Sequence, residues 1–356
     1  MQQLIVQKAD IRAMRSVEVL APELAEGEAR LAIEHFSLTT NNVTYAATGE
    51  VLKYWQFFPT TEAGSGIVPA WGTARVVESR AELGEGTRLY GYFPMAESLV
   101  IRPKAIAPGA YACTQPHRAG LAVVYNTYTV VPEAPEREEH LRALLQPLLA
   151  TSWLLADWLS DNRWFGAEQI IIGSASSKTG LGLCKFLAEF EERLFRIIGL
   201  TSERNRAFVE AAGGCDQVLS YDEIGALPVV PSVYVDMAGN AEVKRALHTH
   251  LGNALKHSAA VGTSHWEAFR PPSDLPGPKP QFFFAPAQVA KRREEWGPGV
   301  VEREITKGWK RLAAGADAWL DVAVHDGLAT ALPVWQRLAD GQASPREGHI
   351  IWLEGK

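Results

Sequence analysis

The stretch most able to do chemistry is Ile170-Ile171-Ile172-Gly173-Ser174-Ala175-Ser176-Ser177-Lys178-Thr179-Gly180-Leu181-Gly182-Leu183. An apolar strand enters a turn of small residues, and a helix leaves it. Small side chains let a diphosphate approach the backbone amides. The helix amino terminus then offers unpaired N–H groups and a partial positive charge. Ser174, Ser176, Ser177, Lys178, Thr179 and Gly180 are the expected phosphate-binding residues, and Gly180 and Gly182 allow close helix–strand packing. Other phosphate or nucleophile motifs fit less well. A Walker loop needs Gly directly before its Lys, where Ser177 stands. A Ser-x-x-Lys acyl-enzyme needs Ser at the position of Ala175. The chain contains no Tyr-x-x-x-Lys pair and no strict Gly-x-Gly-x-x-Gly.

The next apolar strand ends in Gly199-Leu200-Thr201-Ser202-Glu203-Arg204-Asn205. Sites for NAD usually place an acid directly after this strand to bond the ribose hydroxyls. None follows here. Thr201, Ser202 and Arg204, with Lys178 across the turn, are suited to a 2′-phosphate. NADP(H) is therefore expected over NAD(H).

The elements that must position these residues follow from pattern. The first 130 residues are short and strand-like, with apolar or β-branched runs at 31–36, 72–77 and 98–101 bounded by turn residues. Such runs predict a small barrel or sandwich. The character changes at Val131-Pro132-Glu133-Ala134-Pro135. Residues 136–159 have helical spacing, and Pro147 is placed to divide them. Buried strands at 169–172, 196–200, 217–219, 232–235 and 259–261 then alternate with helices at 180–190, 203–212 and 241–255. That alternation predicts a parallel sheet covered on both faces. A proline-rich loop at 271–280 and a strand at 281–285 follow. Helices at 287–293, 300–314 and 329–338 and a strand at 349–353 complete the chain.

A β-rich part, a doubly wound part and a returning strand together resemble the medium-chain dehydrogenases and reductases, in their zinc-independent, quinone-oxidoreductase-like branch. Ser174-Ala175-Ser176-Ser177-Lys178-Thr179-Gly180 stands where that branch has Ala-x-x-Gly-Gly-Val-Gly. Val233-Tyr234-Val235-Asp236-Met237-Ala238-Gly239 resembles its strand ending in Asp-x-x-Gly, and Val261-Gly262-Thr263-Ser264 its next strand end, beside the nicotinamide. Thr40-Asn41-Asn42-Val43-Thr44-Tyr45-Ala46-Ala47-Thr48-Gly49 resembles its Asn-x-x-Asp-x-Tyr…Gly segment, with Val43 in place of the Asp. Closer still, the runs 41–46, Tyr90-Gly91-Tyr92-Phe93-Pro94-Met95 and 174–179 resemble a family of bacterial proteins, DUF2855.

The resemblance implies an α/β fold: a GroES-like β-rich catalytic domain at 1–130, a doubly wound parallel-sheet (Rossmann) domain at 131–290, and a return at 291–356 completing the first. It adds Asp236, Gly239, Gly262 and Thr263 to the expected cofactor site. Tyr45 becomes the candidate to orient substrate or relay a proton, with Asn41 and Asn42 to bond a carbonyl or the carboxamide. The aromatic loop Lys53-Tyr54-Trp55-Gln56-Phe57-Phe58 offers Tyr54 and Trp55 as pocket walls, and His265 follows the fifth strand. The expected reaction is NADP(H)-dependent hydride transfer to an activated double bond or carbonyl of a small apolar substrate. A dinucleotide-binding sensor or subunit without turnover, and an isomerase or lyase on the same fold, stay open.

Composition bounds these readings. The chain has 356 residues and a net charge of -6, with no block of consecutive basic residues, so nucleic acid is not an expected partner. Cys113, Cys184 and Cys215 are too few and too scattered for a structural zinc site or a disulfide framework. The segment 69–74 carries no metal ligand. His248, His250 and His257 fall on one predicted helix, but His248 and His250, two apart, face different ways. No zinc is expected. No signal peptide or membrane-length apolar run is read, so a soluble cytoplasmic protein is expected. Gln281-Phe282-Phe283-Phe284, as an apolar sheet edge, is expected to build a homodimer.

Overall fold

A computed structural model describes residues 1–262 and 274–353. It forms two compact units: Met1–Leu144 with Asp321–Lys356, and Leu145–Leu320.

In the first unit the chain runs β1 (Gln2–Gln7), β2 (Asp10–Glu18), β3 (Ala29–Leu38), α1 (Thr40–Ala47), β4 (Ser65–Gly66), β5 (Pro69–Ser79), β6 (Arg88–Pro94), β7 (Ser98–Ile101), β8 (Pro103–Ala107), β9 (Ala110–Cys113) and β10 (Thr127–Val130). Strands β2-β1-β4 make a small antiparallel sheet. A larger one is ordered β3-β5-β6-β10-β9-β8, with β7 also on β3. Its core carries a paired charge cluster: Arg88 bonds both oxygens of Glu34 and both of Glu139 at 2.5–3.1 Å. All three are buried, and a buried cation is tolerated when held this way.

Helix α2 (Glu136–Asp161) carries the chain into the second unit, and it is not divided at Pro147. Proline has no N–H for the carbonyl four residues back. That carbonyl belongs to Ala143, and the Ser37 hydroxyl donates to it at 2.8 Å. A tertiary hydrogen bond replaces the missing helical one.

The second unit holds β11 (Gln169–Gly173), α3 (Lys178–Ala188), β12 (Arg196–Thr201), α4 (Glu203–Ala212), β13 (Gln217–Ser220), β14 (Ser232–Asp236), α5 (Ala241–Leu251), β15 (Leu255–Ala260), β16 (Gln281–Phe282), α6 (Ala285–Trp296) and α7 (Val300–Ala314). The sheet is parallel and ordered β13-β12-β11-β14-β15-β16, so the chain winds one way from β11 and then crosses to the other side. Ile171, Ile198, Leu200 and Tyr234 of the strands meet Val243, Leu247 and Leu251 of α5 in its core.

Two expectations are corrected here. Helix α5 stops at Leu251, where Gly252 turns the backbone to a φ of 47°. Residues from Leu255 are strand, so His257 is on β15 and not on the helix of His248 and His250. The compact units also divide later than 130 and 290. Gln288 and Arg292 of α6 bond Asp157 of α2 at 2.6–2.9 Å, and Gly308 of α7 lies against Trp153. These contacts hold both helices in the second unit.

The chain then returns to the first unit as β17 (Asp321–Asp326), α8 (Ala331–Ala339) and β18 (Glu347–Trp352). Strand β18 joins the large sheet antiparallel to β3, and β17 pairs parallel with β18. Strand β17 has exposed positions along its length, and its apolar run, Val322-Ala323-Val324, is short.

Candidate dinucleotide site

The site is built at one edge of the parallel sheet. Gly173 ends β11 opposite Leu200 on one side and Asp236 on the other, and Asp236 lies opposite Ala260. The turns after β11, β12, β14 and β15 therefore emerge together, and the strand order reverses between β11 and β14. Ligands of open α/β sheets bind at this kind of switch point.

The first turn is shaped by backbone geometry. Ser174 has a φ of 53°, a left-handed conformation costing a residue with a Cβ about 1–3 kcal/mol. Helix α3 begins at Lys178, with Ser177 as its cap: the Ser177 hydroxyl accepts from the Gly180 amide at 3.0 Å. The first amides of a helix have no acceptor within it, which is the property that helix-end anion sites use. A Cβ at Gly180 would lie 2.6 Å from the Ser174 carbonyl oxygen, so only glycine lets the helix sit this close.

The second turn is tied to the first. The buried Thr201 hydroxyl bonds the Ser176 hydroxyl at 3.0 Å, and the Asn205 amide donates to the same oxygen at 3.2 Å. Thr201 thus helps to position the turn. Ser202 precedes α4 but makes no capping bond, and its buried Oγ has no hydrogen-bond partner among the described residues. Arg204 is exposed in the first turn of α4. Glu203, the nearest acid, is exposed and pairs with Arg206.

At the third turn the Asp236 carboxylate accepts from the amides of Ala238 and Gly239 at 3.2 and 2.9 Å and pairs with Lys244 of α5 at 2.9 Å. Gly239 has a φ of 74°. Gly262 follows β15 so close to the Met237 carbonyl that a Cβ would lie 2.2 Å from it. Thr263 and His265 lie outside the described residues.

Three contributors escaped the sequence reading. Asn205 holds the turn, Lys244 neutralises Asp236, and Tyr221 faces Ser174, its phenol pushed up by burial. Spacing on α4 and α5 would have pointed to the first two. Nothing local points to Tyr221.

The remaining expected residues are in the first unit. Thr39 caps α1, and Asn42 completes a capping box by accepting from the Thr39 amide at 2.8 Å. The Asn42 amide also donates to the Pro69 carbonyl at 2.9 Å, so this buried side chain holds β5 to α1. Tyr45 is buried three residues on, and its hydroxyl accepts from the Trp71 indole at 3.0 Å and faces Asn41. Burial, then the neighbouring Tyr125 phenol group, pushes its pKa well up, so Tyr45 stays neutral. Its ring packs on Tyr54 at 4.8 Å and Tyr92 at 5.3 Å. Trp55 fills the space over Gly49 and Gly66, where a Cβ would lie 2.2 and 2.5 Å from its ring. Tyr54 thus joins Tyr45, whereas Trp55 is clamped between two glycines. Asn41 is half-exposed.

The family profile described as "Protein of unknown function (DUF2855)" matches residues 36–344. The chain belongs to the DUF2855 family. No curated protein matches the sequence. Among solved structures, this DUF2855 chain is similar to CurA from Vibrio vulnificus in complex with NADPH, at 14% identity over 100% of both chains and a TM-score of 0.64. A quinone oxidoreductase from Coxiella burnetii is 14% identical over 99% of each chain, with a TM-score of 0.53. A cobalt- and zinc-bound thermostable alcohol dehydrogenase from Pyrobaculum aerophilum is 13% identical over 99% of each, with a TM-score of 0.54. At these identities the likeness establishes the fold alone: a GroES-like β-rich unit and a Rossmann unit. Among the described residues of this DUF2855 member, no three His, Cys, Asp or Glu side chains cluster as metal ligands, and no helix is long and apolar enough to cross a membrane.

Proposed function

We propose that this DUF2855 protein is an NADPH-dependent, zinc-independent oxidoreductase that reduces an activated double bond or carbonyl of a small, apolar substrate. One observation carries the cofactor reading. The strand end that would place an acid for NAD instead has the buried, unpartnered Ser202 hydroxyl and exposed Arg204, beside a turn in which only Gly180 fits. The residues fit the group. The amides of Lys178 and Thr179 and the glycine surface hold the diphosphate, and Ser202 and Arg204 hold the 2′-phosphate. Bound NADPH supplies a hydride. Similar folds crystallised with NADPH support this reading.

For the substrate, Asn41 is the contact residue: its amide bonds the polar oxygen. Tyr45 positions that amide from behind, and Asn42 fixes the helix that carries both. Asp236 fixes the loop bearing Gly239. The protein acts as a homodimer in a reducing compartment.

Tryptophan fluorescence titrated with NADPH tests the first step, and NADPH oxidation with enones, quinones and aldehydes, before and after exhaustive chelation, tests the second. Saturable binding and chelator-resistant oxidation are expected. No binding defeats the cofactor assignment, and activity lost together with a stoichiometric zinc defeats the zinc-independent one.

A further inference from the structure

Arg118 sits in the first unit at the end of a short helical turn, Pro116–Arg118, and is 1% exposed. Buried guanidinium groups are ordinarily paired with carboxylates, as Arg88 is, because an unpaired buried charge is costly. Arg118 has no carboxylate among the described residues. Its Nη1 donates to the Tyr128 hydroxyl at 2.8 Å and to the Asn126 amide oxygen at 3.4 Å. The charge lies over the Phe58 ring at 4.9 Å. Nε and Nη2 are buried with no hydrogen-bond partner among the described residues. Those two nitrogens form one edge of the guanidinium, and that edge is the fork that takes a carboxylate with two parallel bonds.

Arg118 lines a cavity of about 180 Å³. Its walls include Phe57, Phe58, Ile67 and Leu99, with Gln115 as a further polar group, and no Asp or Glu lines it. At roughly 30 Å³ per water this space holds about six waters, a fragment rather than a drug-sized ligand. Neither Asn41 nor Tyr45 lines it.

We propose that this cavity is a binding site for a small, largely apolar monocarboxylate, its carboxylate taken by Nε and Nη2 of Arg118 and its apolar part by Phe57, Ile67 and Leu99. The site is independent of the dinucleotide reading.

Benzoate and its neutral isostere benzamide are the probes, followed by calorimetric titration and by saturation-transfer NMR on the full chain. Benzoate binds one per chain, and benzamide binds at least about tenfold more weakly, the loss expected for hydrogen bonds to a charged group. Arg118→Met abolishes that preference. Leu99→Trp, which leaves Arg118 in place and fills the cavity, abolishes benzoate binding; circular dichroism confirms that each variant is folded. Should Arg118→Met not fold, Leu99→Trp decides alone. Equal binding of the two probes, no binding of benzoate, or benzoate binding unchanged in Leu99→Trp overturns the proposal and leaves Arg118 as a structural cation on Phe58 and Tyr128. NADPH titration in the same variants reads the cofactor proposal separately.

Discussion

Arg204 and Ser202 are where the choice between two cofactors that differ by one phosphate would be made. Charge-assisted hydrogen bonds contribute about 1.5–3 kcal/mol. Arg204→Ala is therefore expected to weaken NADPH about tenfold or more and NADH little; equal weakening of both, read by fluorescence titration, would sink the assignment. Tyr45 tests the substrate side. Tyr45→Phe removes the hydroxyl that faces Asn41 and leaves the buried Trp71 indole without its acceptor. Turnover should fall about tenfold, the weight of one hydrogen bond, while NADPH affinity stays constant. Unchanged kcat makes Tyr45 a packing residue. His35 concerns stability. It is fully buried, both ring nitrogens lack hydrogen-bond partners among the described residues, and it stacks on Trp352 at 5.2 Å. Burial, then the positive neighbours His140, Arg88 and Arg142, pulls its pKa down from 6.5 to about 3. The folded protein keeps His35 neutral where the unfolded chain binds a proton. Its contribution is complete above pH 6.5 and is lost as pH falls from 6.5 toward 3. His35→Phe keeps a ring on Trp352 and should flatten the fall in Tm across that window; an unaltered pH profile would exclude His35 as its source.

At the scale of elements, Pro147 and Ser37 show how a helix outlasts its own breaker. The Ala143 carbonyl loses its helical donor to Pro147 and gains the Ser37 hydroxyl. Ser37→Ala leaves that carbonyl buried and unpaired, a cost of about 1–3 kcal/mol. Pro147→Ala returns an N–H at the right position, so the double variant should recover most of the loss. Chemical denaturation of the four proteins measures the coupling, and strict additivity would refute the compensation. The same scale explains the dinucleotide site. Its turns are short because the strands end in register, and the Ser176–Thr201 bond joins two turns 25 residues apart.

For the whole molecule, the sheet edge carries the prediction. Strand β16 pairs with β15 alone and ends the order of the parallel sheet. Phe282 is 54% and Phe284 44% exposed, with their rings 6.3 Å apart. An apolar edge of this kind favours pairing with a second copy. Light scattering should find a dimer, and Phe282→Glu should shift it to monomer by placing a charge on the edge. A monomeric native protein would contradict the dimer.

Local pattern determined the type of most elements and the small-residue turn before α3. Apolar strands separated by helical periods can only be covered on both faces, and small residues before Gly180 leave room for an anion whatever surrounds them. The alternation from Gln169 to Asp236 and the missing acid after Thr201 were legible because both depend on neighbours in sequence. Long-range packing decided the rest. Pro147 marks a helix end in any local reading, and only Ser37, more than a hundred residues away, keeps it within a helix. Strand β17 carries only the short apolar run Val322-Ala323-Val324, between polar ends, and pairs with the edge that β18 offers it. Asn42, Thr201 and Trp55 have residue types suited to ligand contact, yet a cap, a hydroxyl partner and two glycines commit them to the fold. Arg118 looks in sequence like any surface arginine. Its burial without a carboxylate arises from β-strands and loops that meet only when the chain has folded, because desolvation depends on what surrounds a group in space.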